Sequence, residues 1–275
     1  MSIYHKYLRL PMFPNIWCAG CGDGMVLKAL LRAIDRLQLP KDDLCMISGI
    51  GCSSRLPGYV DFNTLHTTHG RALAFATGVK LARPKMTVIV ISGDGDALAI
   101  GGNHFIHAAR RNIDLTCILF NNLIYGMTGG QYSPTTPRGQ FASTAPYGNI
   151  EMPFDICKLA EASGASFVAR GTAYHATQLD KLIEQGIRNP GFSLVEVLVQ
   201  CPTVYGRRNQ SGDPVSMLKW QRDNAIGVKA AEKLSPEELA GKVVTGVLFS
   251  RERPEYCQEY EKIMARAQGR TSTPS

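Results

Sequence analysis

The sequence predicts an α/β fold: a doubly wound, mostly parallel sheet covered by helices on both faces, with a C-terminal arm. Three observations carry this. Short apolar runs alternate with stretches of helical period along most of the chain. The runs are apolar throughout rather than every second residue, as in strands buried on both faces. Polar and glycine-rich motifs follow one run after another, as ligand loops do at the carboxyl edge of a parallel sheet.

Each element follows from local pattern. Leu27, Leu30, Leu31, Ile34 and Leu37 share one helix face. Asp23 is placed to cap that helix and Pro40 to stop it. Residues 44–47 read as a strand ending in Ser48-Gly49-Ile50-Gly51-Cys52. Residues 70–81 form a small-residue helix that stops before Pro84. The strand over 86–92 runs into Gly93-Asp94-Gly95, and a helix fits 103–111. The strand over 115–120 leads to Asn121-Asn122. Residues 126–148 are rich in Gly, Thr, Pro and Ser and too long for a plain connection, which marks them as functional. A helix over 153–163, a strand over 167–169, a helix over 177–188 and a strand over 194–199 follow, ending at Cys201-Pro202. Beyond Thr203 the composition turns polar, and Ser235-Pro236-Glu237-Glu238 has the form of a capping box. The expected organisation is a ligand-binding domain over 1–205 and an arm over 206–275 that packs on the domain or on a partner subunit.

Composition narrows the function. A chain of 275 residues with 19% charged residues can bury a core without disulfide staples. The start has no apolar stretch with a small-residue cleavage site, and no run approaches a membrane span, so a cytoplasmic protein with no membrane association is expected. The net charge of +7 points to acidic partners. The positive charges are scattered, with Arg110-Arg111 and Arg207-Arg208 the only arginine pairs, so no nucleic-acid motif stands behind them.

Asp94, set between two glycines, is a hard oxygen ligand where backbone can approach a phosphate closely. Asn122 follows 28 residues later, the span of one β-α-β unit. The pair would therefore meet at neighbouring strand ends, where a carboxylate, an amide oxygen, a carbonyl and phosphate oxygens suit Mg²⁺. Either motif alone reads as a turn; together they read as a site. The eight cysteines sort by position. Cys18-x-x-Cys21 is a local ligand pair, and Cys52 and Cys201 end strands. Four such thiolates suit a [4Fe–4S] cluster or a structural zinc, and spacing leaves both open. Cys45, Cys117 and Cys157 lie within apolar strands or a helix and Cys257 in the arm, all as packing residues.

Adding Trp17-Cys18-Ala19-Gly20-Cys21-Gly22, Gly49-Ile50-Gly51-Cys52 and Tyr125-Gly126-Met127-Thr128-Gly129-Gly130-Gln131, the chain resembles the β subunits of the 2-oxoacid:ferredoxin oxidoreductases, most of all the 2-oxoglutarate type, over about residues 18–201. The resemblance implies a sheet of the thiamine-diphosphate-binding type. It implies one [4Fe–4S] cluster on Cys18, Cys21, Cys52 and Cys201. Mg²⁺ would sit on Asp94, Asn122 and the Ile124 carbonyl. Thiamine diphosphate would meet Gly93, Gly95, Asp96, Gly126 and Met127, with Ile50, Gly51, Cys52 and Ser53 along it and His69 in contact. Arg55, three residues past Cys52, could fork onto a substrate carboxylate or be a surface charge or an intersubunit ion pair. His66 reads as a core or surface histidine.

The implied reaction is oxidative decarboxylation of 2-oxoglutarate with coenzyme A to succinyl-CoA and CO₂, electrons passing through the cluster to an acidic ferredoxin. The CO₂-fixing direction is open. No glutamate for the aminopyrimidine ring is apparent. In the family it comes from an α subunit, with most of the coenzyme A site, so an αβ or (αβ)₂ heteromer is expected. The alternatives are a pyruvate or broad-specificity 2-oxoacid enzyme, a non-catalytic zinc or iron–sulfur electron-transfer module, and a non-redox thiamine lyase.

Overall fold

The structure, a computed structural model, describes residues 2–269. Every apolar run read from the sequence forms a strand. These are β1 (Leu44–Ser48), β3 (Thr87–Gly93), β4 (Thr116–Asn121), β5 (Phe167–Thr172) and β6 (Ser193–Leu198). The fold adds β2 (Asn63–His66), whose polar, largely exposed residues gave no apolar signal. The sheet order is β2-β1-β3-β4-β6-β5, with every neighbouring pair parallel.

Two apolar cores lie on opposite faces, because successive strand residues point to opposite sides. Met46, Ile89, Ile91, Ile118 and Val195 face one core, together with Leu27, Leu30, Leu31 and Ile34 of helix α2 (Asp23–Leu37) and Leu179 and Ile183 of α6 (Ala176–Arg188). α1 (Ile3–Tyr7) adds Tyr7 to it. Cys45, Ile47, Val88, Cys117 and Leu119 face the other. There α3 (Ala72–Ala82), α4 (Gly102–Arg110) and α5 (Ile156–Ser163) cover the sheet. Cys45, Cys117 and Cys157 thus serve as buried apolar fillers, and Cys257 is buried as well. Asp23 does not cap α2: Gly22 holds the cap position without a side-chain bond, and Asp23 lies inside the first turn, 2% exposed.

The C-terminal region is bonded into the sheet. After α7 (Pro214–Asn224) come β7 (Ala225–Gly227), two short helices α8 (Val228–Ala231) and α9 (Pro236–Leu239), β8 (Val243–Ser250) and α10 (Tyr256–Ala267). β8 pairs antiparallel with β5, and β7 pairs parallel with β8 at the sheet edge. The polar average beyond residue 203 hid the apolar run Val243-Val244-Thr245-Gly246-Val247-Leu248-Phe249. Ser235 and Glu238 form the expected reciprocal capping box. Of the arm expected over 206–275, residues 270–275 lie outside the described residues. Among the described residues, no helix is long and apolar enough to cross a membrane.

Candidate functional site

The strand order brings the motifs together. β1, β3, β4 and β6 are consecutive neighbours, so the segments after them emerge side by side. The chain reverses its direction of winding between β1 and β3, and ligands bind at such a switch point. A cavity of about 310 Å³ opens there. It is lined by Ile50, Gly51, Cys52 and Ser53 after β1, by Gly93 to Asp96 at the end of β3, and by Asn122, Ile124 and Tyr125 to Thr128 after β4, with His69 alongside. A second cavity, of about 400 Å³, shares Asn122 with the first and is lined also by Cys201, by amides such as Gln140, Gln200 and Gln221, and by apolar side chains such as Leu198, Met217 and Trp220, without the Gly93-Asp94-Gly95 turn.

At one end of the first cavity stands Asp94. It is 3% exposed, and burial pushes its carboxyl up to about 6 against the pull of hydroxyl donors. Ser133 Oγ and Thr135 Oγ1 donate to the same oxygen, Oδ2, at 2.6 and 2.7 Å. Both come from the long loop after β4, so this loop closes over the carboxylate rather than only connecting strands. A buried acidic group held from one side, with Asn122 and Ile124 lining the same space, fits a divalent cation with oxygen ligands.

Asp96 organises the loops. Its Oδ1 accepts from the Gly70 N–H at 2.7 Å and the Ile50 N–H at 3.2 Å, and its Oδ2 from Ser92 Oγ at 2.5 Å. His69 Nδ1 stands 2.8 Å from Oδ1, near enough to pair but not aligned as a hydrogen bond. A Cβ on Gly49 would overlap this carboxylate. Gly95 is also required by close approach: Tyr125 donates from its hydroxyl to the Gly95 carbonyl at 3.0 Å, and its ring fills the space a Cβ would need. Gly93 differs, its nearest neighbour to an added Cβ being Ser53 Oγ at 3.5 Å.

At the other end the cysteine segments are tied to each other. Trp17 Nε1 donates to the Cys52 carbonyl at 2.8 Å. Gln200 Nε2 donates to the Gly20 carbonyl at 2.9 Å, and the Gly22 N–H to the Gln200 carbonyl at 3.3 Å. The Cys201 and Cys52 sulfurs lie 3.5 and 3.8 Å from the point a Cβ on Gly126 would occupy. Burial pushes the Cys52 thiol up to about 12 and raises the thiols of Cys21 and Cys201, with Asp23 adding to each. Such thiols become thiolates only in the company of a cation, so the set fits a metal centre. Among the described residues, no three His, Cys, Asp or Glu side chains converge on a single-ion site.

Not every expected residue reaches the cavity. Arg55 is exposed in the 3-10 turn Ser53–Tyr59 and does not line it. His66 is exposed and meets Ser48 Oγ at 3.2 Å. Conversely, Asp23, Tyr125, Ser133 and Thr135 enter the site without having been given a role in it from the sequence. Asp23 lines the cavity beside Cys52 with Oδ2 unpartnered, and burial pushes its carboxyl up to about 7. The only signal in the sequence was its place one residue after the Cys-x-x-Cys-Gly motif.

The thiamine pyrophosphate enzyme, C-terminal TPP binding domain matches residues 49–197. "2-oxoglutarate synthase subunit KorB" of Methanothermobacter marburgensis is 52% identical over 267 residues, covering 97% of this chain and 94% of that protein. The protein of the same name from Methanocaldococcus jannaschii is 54% identical over 259 residues, covering 94% and 96%. The solved 2-oxoglutarate:ferredoxin oxidoreductase from Magnetococcus marinus, with 2-oxoglutarate, coenzyme A and succinyl-CoA bound, superposes with a TM-score of 0.86 at 35% identity, covering 98% of this chain and 92% of that one. The chain belongs to the 2-oxoacid:ferredoxin oxidoreductase family, as a β subunit.

Proposed function

We propose that this β subunit works in the oxidative decarboxylation of 2-oxoglutarate, with coenzyme A, to succinyl-CoA and CO₂, and passes the electrons to an acidic ferredoxin. The observation that carries the reading is the sharing of one cavity: Cys52 lines the same space as Asp94 and Asn122. Three arrangements support it. Asp94, Asn122 and the Ile124 carbonyl would hold Mg²⁺, and backbone around Gly93, Gly95, Asp96, Gly126 and Met127 would face the diphosphate. Ile50, Gly51 and Ser53 would line the thiamine, with His69 at its side. Cys18, Cys21, Cys52 and Cys201 would carry one [4Fe–4S] cluster, a reading supported by the Cys52 and Cys201 sulfurs lying 3.8 and 3.5 Å from one point beside Gly126 and by the hydrogen bonds that tie the three cysteine segments together. When bound, thiamine diphosphate supplies the electron sink for loss of CO₂ and the cluster supplies a low-potential one-electron path.

The chain's own residues orient and enclose. Asp96 holds the loops at Ile50 and Gly70 in register with the cavity. Tyr125 fixes the Gly95 turn. Ser133 and Thr135, both buried, hold Asp94 in place from the loop after β4. Arg55, exposed one turn past Cys52, is left to meet a substrate carboxylate at the mouth. Among the described residues, no glutamate lines the cavity. An α subunit would bring it, together with the coenzyme A site, in an αβ or (αβ)₂ assembly. Residues 1–205 would act as the cofactor domain and 206–275 as an arm, of which β8 is bonded to its sheet.

The test is an assay of the complex with its α subunit on 2-oxoglutarate and on pyruvate, with coenzyme A and ferredoxin. Turnover that prefers 2-oxoglutarate supports the reading. Preference for pyruvate moves the chain to the broad-specificity alternative, and full turnover by this chain alone contradicts it.

A further inference from the structure

We propose that Glu196, Asn121 and Thr135 form a positioning relay behind the cation end of the cavity, in which Glu196 orients the Asn121 amide, Asn121 orients the Thr135 hydroxyl, and Thr135 orients Asp94. This rests on the reading of Asp94 as a cation ligand. Asn121 is the first of the asparagine pair, and its side chain has a different task from that of Asn122. It is buried, its Nδ2 donates to Glu196 Oε1 at 2.8 Å, and its Oδ1 faces Thr135 Oγ1 at 2.9 Å and accepts from the Leu123 N–H at 3.2 Å. Thr135 Oγ1 in turn lies 2.7 Å from Asp94 Oδ2, so its single proton sits between two acceptors and is shared by them, which fixes the hydroxyl between the amide and the carboxylate. The links join β6, β4, the long loop and the end of β3, all within buried side chains.

The charge of Glu196 gives the relay its direction. An ionised carboxylate only accepts, so the amide nitrogen of Asn121 must face it and the amide oxygen must face Thr135. Arg170, opposite Glu196 in the β5–β6 register, donates from Nε to Oε2 at 2.7 Å. Cys157 Sγ adds a contact of 3.1 Å to the same oxygen. Arg170 also binds Asp155 at 2.9 Å, which caps α5. A sheet interior does not need such a pair for stability, since apolar residues of similar volume serve as well or better there. Partners behind a metal ligand set its orientation and its affinity. The pair therefore sits where an orienting anchor is useful and where a purely structural core would be apolar.

The experiment measures Mg²⁺ affinity in the αβ complex with thiamine diphosphate present, by calorimetric titration, alongside iron content and thermal midpoint. Thr135→Val and Asn121→Leu should weaken Mg²⁺ binding by about 10- to 100-fold. Thr135→Ser, which keeps the hydroxyl, should restore it to within about threefold of wild type, since a hydroxyl at that position is what the relay requires. Glu196→Gln should weaken it by about tenfold, because its amide no longer dictates which end of Asn121 it meets. Iron content should stay unchanged in all four. If the midpoints fall while Mg²⁺ affinity stays within about twofold in Thr135→Val and Asn121→Leu, the residues are structural only and the relay is overturned. Failure of Thr135→Ser to rescue overturns it as well. If Glu196→Gln does not fold, the two Thr135 variants decide. A wild-type complex that takes up no Mg²⁺ overturns the reading of Asp94 instead, which separates the two failures.

Discussion

The two ends of the cavity are built differently. At the Asp94 end, side-chain hydroxyls and backbone N–H groups hold two buried carboxyls in place, and Tyr125 fixes the Gly95 turn between them. At the cysteine end, the segments are tied by three hydrogen bonds, while burial raises the Cys21, Cys52 and Cys201 thiols and Asp23 Oδ2 lies near them without a partner. One end is preorganised for its ligand. The other is a set of donors whose buried charges are compensated only when a metal is present. Cofactor affinity should therefore depend on protein hydrogen bonds at the first end and on metal loading at the second.

The largest effect should come from Cys21→Ser. Iron content and electron transfer to ferredoxin should fall to background, while affinity for thiamine diphosphate stays close to wild type. Parallel loss of both would show that the two ends are not independent. Next is Asp94→Ala, which should weaken Mg²⁺-dependent retention of thiamine diphosphate about 100-fold and leave the iron in place. Gly95→Ala should cost about 1–3 kcal/mol, because its Cβ displaces the Tyr125 ring. Gly93→Ala, whose Cβ meets only Ser53 Oγ at 3.5 Å, should leave the thermal midpoint nearly unchanged, and the pair separates close approach to protein from close approach to ligand.

The smallest effect is in pH. Burial raises Asp94 from 3.8 to about 6, so the folded chain without metal loses stability from this group as pH rises through that window. Proton and cation compete for the same carboxylate. Mg²⁺ affinity should be flat above pH about 6 and fall about tenfold per unit below it. A flat profile down to pH 4.5 would remove Asp94 as the ligand that matters.

Much of this was legible in the sequence because apolar periodicity reports burial directly. The doubly wound sheet and the meeting of Cys52, Asp94, Asn122 and Cys201 follow from strands and the loops that end them. What stayed hidden has physical reasons. β2 is an edge strand of polar residues, and β8 is one apolar run inside a polar region whose average masked it. Asp96 was expected to contribute backbone, yet its side chain is the hub, since a carboxylate's partners across three loops leave no local pattern. Ser133 and Thr135 lie in the loop over 126–148, whose length marked it as functional without saying which of its hydroxyls reach Asp94, and Glu196 is the single polar break in an apolar run. Arg55, three residues past Cys52, stands exposed on the 3-10 turn, where a surface charge and a group that meets substrate from outside the cavity would both sit.

The central claim is that one cavity serves a thiamine cofactor and a thiolate-bound cluster together. Iron, sulfide, zinc and thiamine diphosphate measured on one anaerobically purified sample of the αβ complex test it most directly. About four irons, four sulfides and one thiamine diphosphate per copy of this chain are expected. Stoichiometric zinc without iron, or iron without thiamine diphosphate, would contradict it.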